Sequence, residues 1–332
     1  LTHDPGMYPK RLIVDDARAC GVPILGLDVN ASQATYVVES VDDAFGIRVS
    51  LADVKGINDD EIRSVVAGQP YSSLADFVNR GQVSQPILER LILAGGFDAL
   101  HGHVASRRDL YLNLSDLSEQ FKRNRISTSQ MSLGLNYADW QPTLMGLRPM
   151  SLADCVKHEV EILGIDLSAH VVSFYIPMLR ELGVVTSQRL LDVRSQSRVF
   201  VSGVKVATQT PPIRSGKRVA FITLDDSTGP VDATFFEEAQ DQYASTLFHS
   251  WLLLVRGTVR RTGPRGVSIV ADGCWEMSTI YQHWREGGVA QVHAFISRQP
   301  YDEHQTVSTT QIWEHASGFR HSPYADVRPV GV

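Results

Sequence analysis

The ten residues RVFVSGVKVA, from Arg198 to Ala207, decide the fold of the second half of the chain. Their valines alternate with other side chains at a period of two, which is the spacing of a β-strand that buries one face. The segment from Arg218 to Leu224 alternates in the same way. The turn sequence DDSTG separates it from a third strand, Val231 to Phe236. This pattern predicts three strands in succession.

A helix and two further strands complete this block. Glu237 to Leu247 is predicted to be helical, and Trp251 to Val259 and Val267 to Val270 are predicted strands joined by the turn GPRG at 263–266. Three strands, a helix and two strands over roughly eighty residues are the order of an OB-fold. We therefore predict a five-stranded OB-fold β-barrel over residues 195–277.

Barrels of this kind commonly hold single-stranded nucleic acid on one face, through stacked aromatic rings and basic side chains. The basic candidates are Lys205, Arg214, Lys217, Arg218, Arg256, Arg260, Arg261 and Arg265. These side chains could equally be solvated surface charges, but many lie in the loops that rim the barrel, which favours contact with DNA. Phe221, Phe235 and Phe236 are the aromatic candidates, and we expect Phe221 and Phe235 to be core residues because alternation must bury some of them.

Two glycine turns between helices mark the preceding block, residues 49–110, at Gly56 and at Gly95-Gly96. Helices are predicted at 59–67, from Ser73, at 85–93 and from about Val104. A pattern of two helices joined by a glycine turn, present twice, is typical of a double helix-hairpin-helix domain. Amide groups that point outward at a helix N-terminus can hold a DNA phosphate without reading a base. The candidates are Lys55, Gly56, Ile57, Gly95, Gly96, Arg107 and Arg108. The alternative is a helical connector whose glycines only cap helix ends.

The remaining segments are less regular. Residues 1–48, with a helix from Tyr8 to Gly21 and three short strands, look like the end of an α/β module.

Residues 111–194 form a basic, loop-rich connecting region that contains the hexapeptide QMSLGL. Its candidate contact residues are Gln130, Met131, Ser132, Leu133 and Leu135. A glutamine followed by spaced apolar residues suits an extended peptide that docks on a partner protein. The alternative is a loop that buries its own leucines. Residues 278–332 show no convincing periodicity and are predicted to be a tail.

Composition limits the class of protein. The chain has 332 residues, 43% of them hydrophobic and 20% charged, and a formal net charge of −6. This charge argues against a wholly basic nucleic-acid binder. There is no apolar run of the roughly 18 residues that a membrane span needs, and the first residues do not resemble a signal peptide, as expected for a chain that begins inside a longer protein. Three widely spaced cysteines argue against a disulfide framework or a zinc site and favour buried thiols in the cytoplasm.

The sequence predicts no catalytic centre and no metal site. Adjacent acidic pairs occur at Asp15-Asp16, Asp42-Asp43, Asp59-Asp60 and Asp225-Asp226. Neighbouring residues on a strand point to opposite faces, and acids at a helix start favour the helix dipole, so each pair has a structural explanation. Sequence motifs for a phosphate-binding loop, a serine nucleophile elbow or a cysteine–histidine pair are also absent. We therefore assign no catalytic residue and no cofactor to this chain.

Three runs in this order resemble the C-terminal part of the bacterial C-family DNA polymerases, the polymerase III alpha subunits. They are VSLADVKGI at 49–57, YSSLADF at 71–77 and ILAGGFDAL at 92–100. The opening helix is similar to the end of that family's fingers domain. The run TPPIRSGKRV at 210–219, with TLDD at 223–226, is most similar to the error-prone branch, which acts in damage-induced translesion synthesis.

The resemblance implies a DNA-binding role for the chain. The helix-hairpin-helix domain would grip primer–template duplex, the OB-fold would contact single-stranded template, and QMSLGL would bind the sliding clamp. An accessory Y-family-like mutagenesis protein is a further expected partner. The family's nucleotidyl transfer uses Mg²⁺ at a palm domain, to which no residue here corresponds, so the chain should be inactive alone. The alternatives are a free-standing nucleic-acid-binding adaptor that links a partner to the clamp, which the upstream reading frame would reveal, and a gene remnant.

Overall fold

The computed structural model describes residues 1, 9–41, 44–126, 140–211, 219–261, 263 and 266–298, with the backbone alone at 118–126, and two short strands beyond them. The chain divides into two compact units. We call them the helical unit, Leu1–Pro5 with Ile13–His170, and the barrel unit, Gly6–Leu12 with Val171–Val332.

Seven helices and three strands precede residue 170 in the described part of the chain. The helices are α1 (Lys10–Ala19), α2 (Asp59–Gly68), α3 (Leu74–Arg80), α4 (Gln85–Leu93), α5 (Asp98–His101), α6 (Arg107–Ile126) and α7 (Leu152–Leu163). The strands are β1 (Ile24–Leu25), β2 (Val37–Val41) and β3 (Ala44–Arg48). They form a sheet in the order β1-β3-β2, in which β3 runs parallel to β1 and antiparallel to β2.

Side-chain caps determine where several helices begin. The Asn58 side chain accepts the Glu61 amide while the Glu61 carboxylate accepts the Asn58 amide, a capping box that starts α2. Ser73 caps α3 by accepting the amide of Asp76, and Ser151 caps α7 in the same way. Each cap satisfies a backbone donor that the helix itself leaves unpaired. These local signals are readable in the sequence, and α2 to α4 begin where the sequence predicts.

A single apolar core runs through the helical unit from Val14 to Ile165. The predicted boundaries after residues 48 and 110 therefore do not coincide with breaks in the packing. The region after 110 is also more regular than predicted, because α6 extends for 20 residues. Leu110, Leu114 and Leu117 lie on one face of α6 and are buried, which explains why this segment is helical despite its polar composition.

The barrel unit begins with a 3₁₀ turn at Val171–Tyr175 and two short helices, α8 (Ile176–Glu181) and α9 (Ser187–Leu190). The strands that follow are β4 (Arg198–Gln209), β5 (Val219–Asp225), β6 (Pro230–Phe236), β7 (Leu252–Arg261) and β8 (Val267–Glu276), with α10 (Glu237–His249) between β6 and β7. They close into a barrel in the order β4-β5-β6-β8-β7. The predicted five-stranded OB-fold is confirmed.

A further helix follows the barrel where the sequence suggested an irregular tail. Helix α11 (Met277–Ser297) is bent at Gly287 and Gly288, and Gly288 adopts a φ of +65°. The bend resets the phase of the buried positions, which are Met277 and Ile280 before it and Val292 and Ile296 after it. This reset explains why one continuous helical period is not visible in the sequence. Beyond α11, the strands β9 (Trp313–His315) and β10 (Val327–Pro329) pair antiparallel.

The cysteines differ in exposure. Cys274 is fully buried, and burial raises the pKa of its thiol to about 12. Cys20 is exposed and Cys155 is half-buried, so the expectation of three buried thiols is wrong for these two.

Among the described residues, no helix has the length and apolar character needed to span a bilayer.

A buried histidine makes the stability of the helical unit depend on pH. The Nε2 atom of His101 accepts a hydrogen bond from the Leu74 amide at 2.9 Å. Burial, with a smaller contribution from the charge of His103, lowers the pKa of His101. In the unfolded chain, His101 binds a proton below about pH 6.5, whereas in the folded unit it stays neutral to a lower pH. The free energy of unfolding should therefore fall as the pH drops below that value. His101→Gln keeps an acceptor at every pH, so urea unfolding at acid and neutral pH should show a weaker pH dependence than the unaltered chain. Equal dependence in the two proteins would contradict this role of His101.

Candidate nucleic-acid interface

The first glycine turn uses its amides within the fold. The backbone turns at Gly56 with a φ of +82°, a conformation that favours glycine. The Lys55 amide donates to the carbonyl of Ile162 at 2.9 Å, and the Ile57 amide donates to the carbonyl of Val54 at 3.0 Å. The expectation that these amides point outward to a phosphate is therefore wrong for Lys55 and Ile57.

The helix that follows this turn begins with three acids. Asp59, Asp60 and Glu61 form the first turn of α2, and both aspartates are exposed. Carboxylates at a helix N-terminus interact favourably with its dipole, and they also repel an incoming phosphate. The Lys55 side chain is exposed and forms no hydrogen bond or ion pair with the described residues. At this turn, Lys55 is therefore the predicted residue that remains available to DNA.

The second glycine turn ends a helix. The Gly95 amide donates to Ile92 at 3.1 Å, and the Gly96 amide donates to Leu91 at 2.8 Å. Gly95 has a φ of +88°. These bonds satisfy the last carbonyls of α4, which is how a glycine C-cap works. The connector alternative from the sequence therefore describes the Gly95 and Gly96 amides better than a phosphate site does.

The two arginines after this turn hold the helical unit together. Arg107 lies 2.6 Å from the Asp98 carboxylate and donates to the Leu93 carbonyl at 3.0 Å, and its side chain is 15% exposed. Arg108 lies 3.1 Å from the Asp154 carboxylate. Residues 49–110 also contain six Lys or Arg against eight Asp or Glu. Arg107 is therefore committed to the fold, whereas Arg108 is 41% exposed and only partly engaged, and the local charge does not favour a phosphate.

The barrel unit presents aromatic rings to solvent. Phe221, in β5, is 41% exposed, and Phe236, at the end of β6, is 46% exposed. Phe221 lies directly opposite Thr234 in the register of β5 and β6. Phe236 is two residues beyond Thr234, so the two rings are diagonal neighbours about 7–8 Å apart at their Cα atoms. An exposed aromatic pair on one sheet face is a surface on which nucleobases can stack.

The expected burial of these rings was half right. Phe235 is fully buried, as predicted, whereas Phe221 is not, so the expectation of a core role for Phe221 is wrong. The reason is the phase of β5, in which Ala220, Ile222 and Leu224 point into the barrel and are fully buried. A residue between them must face outward.

An outward-facing row of side chains crosses the barrel at the level of Phe221. The strand registers place Gln209, Phe221, Thr234, Val270, Thr258 and Arg198 side by side on β4, β5, β6, β8, β7 and again β4. We call these six residues the outer row. Neighbouring strands lie about 4.8 Å apart, and the row runs once around the barrel. Gln209, Phe221 and Arg198 are its exposed members, whereas Thr234 is buried and Val270 and Thr258 are half-buried.

The predicted basic residues of the barrel fall into two groups. Arg260 is exposed on β7, and its side chain forms no hydrogen bond or ion pair with the described residues. Arg256, Arg261 and Lys205 instead have structural partners. Arg256 Nε lies 2.5 Å from Asp272, and Arg261 donates to the carbonyls of Val193 and Leu191. Lys205 donates to the carbonyl of Leu247 at the end of α10. The remaining candidates lie outside the described residues: Arg214, Lys217, Arg218, Arg265, Gln130, Met131, Ser132, Leu133 and Leu135.

Arg198 is not among the DNA-contacting residues predicted from the sequence. This first residue of β4 is 63% exposed at its side chain and lies 2.8 Å from Asp272. Arg198 begins the alternating stretch of β4 and is in phase with the outward-facing residues of that strand. This position in the pattern could have identified it as an exposed basic residue.

The acidic pair Asp225-Asp226 has a structural role. Asp225 accepts the Ser227 amide at 3.0 Å, and Asp226 accepts the Thr228 amide at 2.8 Å. Asp226 also accepts the Ser187 amide. These bonds shape the turn between β5 and β6, in agreement with the explanation expected from the sequence.

Comparison with known proteins assigns both blocks to families. Residues 21–110 match the helix-hairpin-helix motif, and residues 198–277 match the OB-fold nucleic acid binding domain. The first match includes β1 to β3, so it begins well before the predicted start at residue 49.

Three relatives show how far the similarity extends. The chain is 30% identical over 282 residues to an error-prone DNA polymerase of Symbiobacterium thermophilum, covering 73% of this chain and 26% of the relative. It is 31% identical over 277 residues to an error-prone DNA polymerase of Nocardia farcinica, covering 80% and 23%. It is 28% identical over 297 residues to a DNA polymerase III subunit alpha of Thermus aquaticus, covering 86% and 23%. The chain therefore spans about a quarter of the length of these relatives.

Proposed function

Because this chain belongs to the bacterial C-family DNA polymerases, we propose that it is a DNA-binding part of an error-prone polymerase whose barrel unit holds single-stranded template. The observation that carries this proposal is the exposed Phe221 ring within the outer row. A nucleobase stacks on that ring, and the sugar–phosphate backbone meets basic side chains of the barrel unit. Arg214, Lys217, Arg218 and Arg265, which the sequence predicts as basic contacts, are proposed to add to this binding.

Binding of the full chain to a fluorescein-labelled oligothymidylate tests the proposal. The affinity should fall steeply between about 50 and 200 mM salt, because backbone contacts release counterions from the nucleic acid. A chain that stays unbound at the low-salt end would refute the proposed function.

Arg260 provides the sharpest single-charge test among the predicted arginines, since its side chain has no structural duty in the described fold. Arg260→Ala should weaken binding about threefold and reduce the salt slope by about one, whatever the oligonucleotide sequence. Arg285→Ala is the matched control, because Arg285 is an exposed arginine on α11, outside the outer row. An equal loss for the two variants would show that net charge alone is responsible.

The helical unit is proposed to contact the duplex part of a primer–template. The contact rests on the helix-hairpin-helix match and on the exposed Lys55 side chain. The backbone amides of Lys55, Ile57, Gly95 and Gly96 donate to carbonyls within the fold. The role of the parent protein in translesion synthesis is proposed from the names of its relatives. Nucleotidyl transfer and its Mg²⁺ ions would belong to parts of the parent outside this chain.

The hexapeptide QMSLGL is proposed to bind a sliding clamp through Leu133 and Leu135. The double variant Leu133→Ala, Leu135→Ala should lose binding to the clamp in size-exclusion chromatography while it keeps its affinity for oligothymidylate. Clamp binding that survives the double substitution would contradict this assignment. An accessory Y-family-like protein is the other proposed partner, and it can be tested in the same experiment.

A further inference from the structure

Two arginines share one carboxylate on the outside of the barrel. Arg198 Nη2 lies 2.8 Å from one Asp272 oxygen, and Arg256 Nε lies 2.5 Å from the other. The three residues come from β4, β8 and β7, which are adjacent in the closed barrel. We call them the Arg198–Asp272–Arg256 cluster.

The two guanidinium groups differ in freedom. Arg256 is 24% exposed, and its guanidinium carbon lies 5.2 Å from the centre of the Trp275 ring, so it is held on two sides. Arg198 is 63% exposed and has donors left over after its single bond to Asp272. Arg198 can therefore bond a second anion without leaving its place.

The cluster lies beside Arg260, the arginine proposed to meet DNA. Arg198 is the end residue of the outer row and lies opposite Thr258. Arg260 is two residues from Thr258 on the same strand and therefore faces the same side. A strand of nucleic acid that contacts Arg260 therefore passes close to Arg198.

We propose that Arg198 is a phosphate-contacting residue of the barrel unit and that Asp272 limits its affinity by occupying the same guanidinium groups. This inference rests on the proposed function of the barrel unit. The Asp272 carboxylate already bonds Arg198 and Arg256, so it competes with a backbone phosphate for the same guanidinium groups. The cluster carries a net charge of +1 in this arrangement, and each substitution below changes that charge by one unit.

Three variants of the full chain test the inference with labelled oligothymidylate. Asp272→Asn raises the charge of the cluster to +2 and should tighten binding about threefold, with a salt slope steeper by about one. Arg198→Gln lowers the charge to zero and should weaken binding by a similar factor. The double variant restores +1 and should bind about as tightly as the unaltered chain.

A purely structural ion pair predicts a different pattern. Either single substitution would then break the same contact and change the affinity in the same direction, which would overturn the inference. Should Asp272→Asn fail to fold, Arg198→Gln still decides, because an exposed side chain can be removed without loss of the core. Unchanged affinity and an unchanged salt slope in Arg198→Gln would also overturn the inference.

Two controls separate this inference from general charge effects and from the proposed function. Asp241→Asn removes the same charge from an exposed position on α10, two residues before the buried Tyr243 and so away from the barrel. Equal tightening in Asp241→Asn would overturn the specific role of Asp272. An unaltered chain that does not bind overturns the proposed function. Suppose instead that the unaltered chain binds and that Phe221→Ala lowers the affinity, while Asp272→Asn and Arg198→Gln leave it unchanged. In that case the inference is wrong and the proposed function stands.

Discussion

Replacing Phe221 by alanine is expected to weaken binding of single-stranded DNA about tenfold, since stacking of one base on an aromatic ring contributes about 1–3 kcal/mol. The ring is exposed, so its removal leaves no cavity in the barrel, and the midpoint of thermal unfolding should stay within a few degrees. Phe221→Trp keeps a flat ring in the same place and should restore most of the affinity. The measurement is fluorescence anisotropy with labelled oligothymidylate at low salt.

Phe248→Ala is the matched control for this substitution. Phe248 is also an exposed phenylalanine of the barrel unit, but it lies on α10 instead of the outer row. Its loss should leave the affinity unchanged. If both variants lose affinity equally, or if Phe221→Ala binds as tightly as the unaltered chain, the stacking role of Phe221 is wrong.

Replacing Gly203 by alanine is expected to destabilise the barrel unit strongly. Gly203 lies in β4, and an added Cβ would be 2.6 Å from the carbonyl oxygen and 2.8 Å from the carbonyl carbon of Asp225. Both atoms are backbone atoms of the neighbouring strand, so β4 and β5 would have to move apart. Such overpacking typically costs about 1–3 kcal/mol, against roughly 5–15 kcal/mol for the stability of a whole domain. The apparent affinity for single-stranded DNA should fall with the folded fraction of the barrel unit.

Hydrogen exchange locates this damage. Amides of β4 to β8 should lose protection in Gly203→Ala, while those of α2 to α4 keep it, because each unit has its own apolar core. Gly26→Ala is the matched control, since Gly26 has open space around the position of an added Cβ. Retained protection in the barrel strands of Gly203→Ala would contradict the expected clash.

Local patterns in the sequence predicted much of the fold for a physical reason. Alternation and capping depend on residues that are near one another in the chain, so the strands of the barrel and the Ser73 and Ser151 caps can be read directly. The phase of β5 was harder, because Val219 and Ala220 are consecutive and both buried. The alternation of Ala220, Ile222 and Leu224 would have shown that Phe221 faces solvent.

The candidate site was less predictable because the role of a charged side chain depends on distant partners. Arg261 donates to Val193, 68 residues away, and Arg198 and Asp272 are 74 residues apart. No local pattern distinguishes these arginines from Arg260, whose side chain forms no hydrogen bond or ion pair with the described residues. Composition could therefore identify a basic rim on the barrel, but only the folded arrangement separates the arginines that brace the fold from those that can meet a ligand.

The way the barrel closes limits how other molecules can attach to it. The 12-residue strand β4 pairs with β7 through Arg198 to Val204 and with β5 through Val204 to Gln209, so one strand joins both ends of the sheet. An open sheet can recruit an extended peptide as an extra strand through its unpaired backbone groups. In the described part of the barrel, each of the strands β4 to β8 instead has a neighbouring strand on both sides over part of its length. We therefore expect recognition at this barrel to rely mainly on side chains, which single substitutions can change one contact at a time.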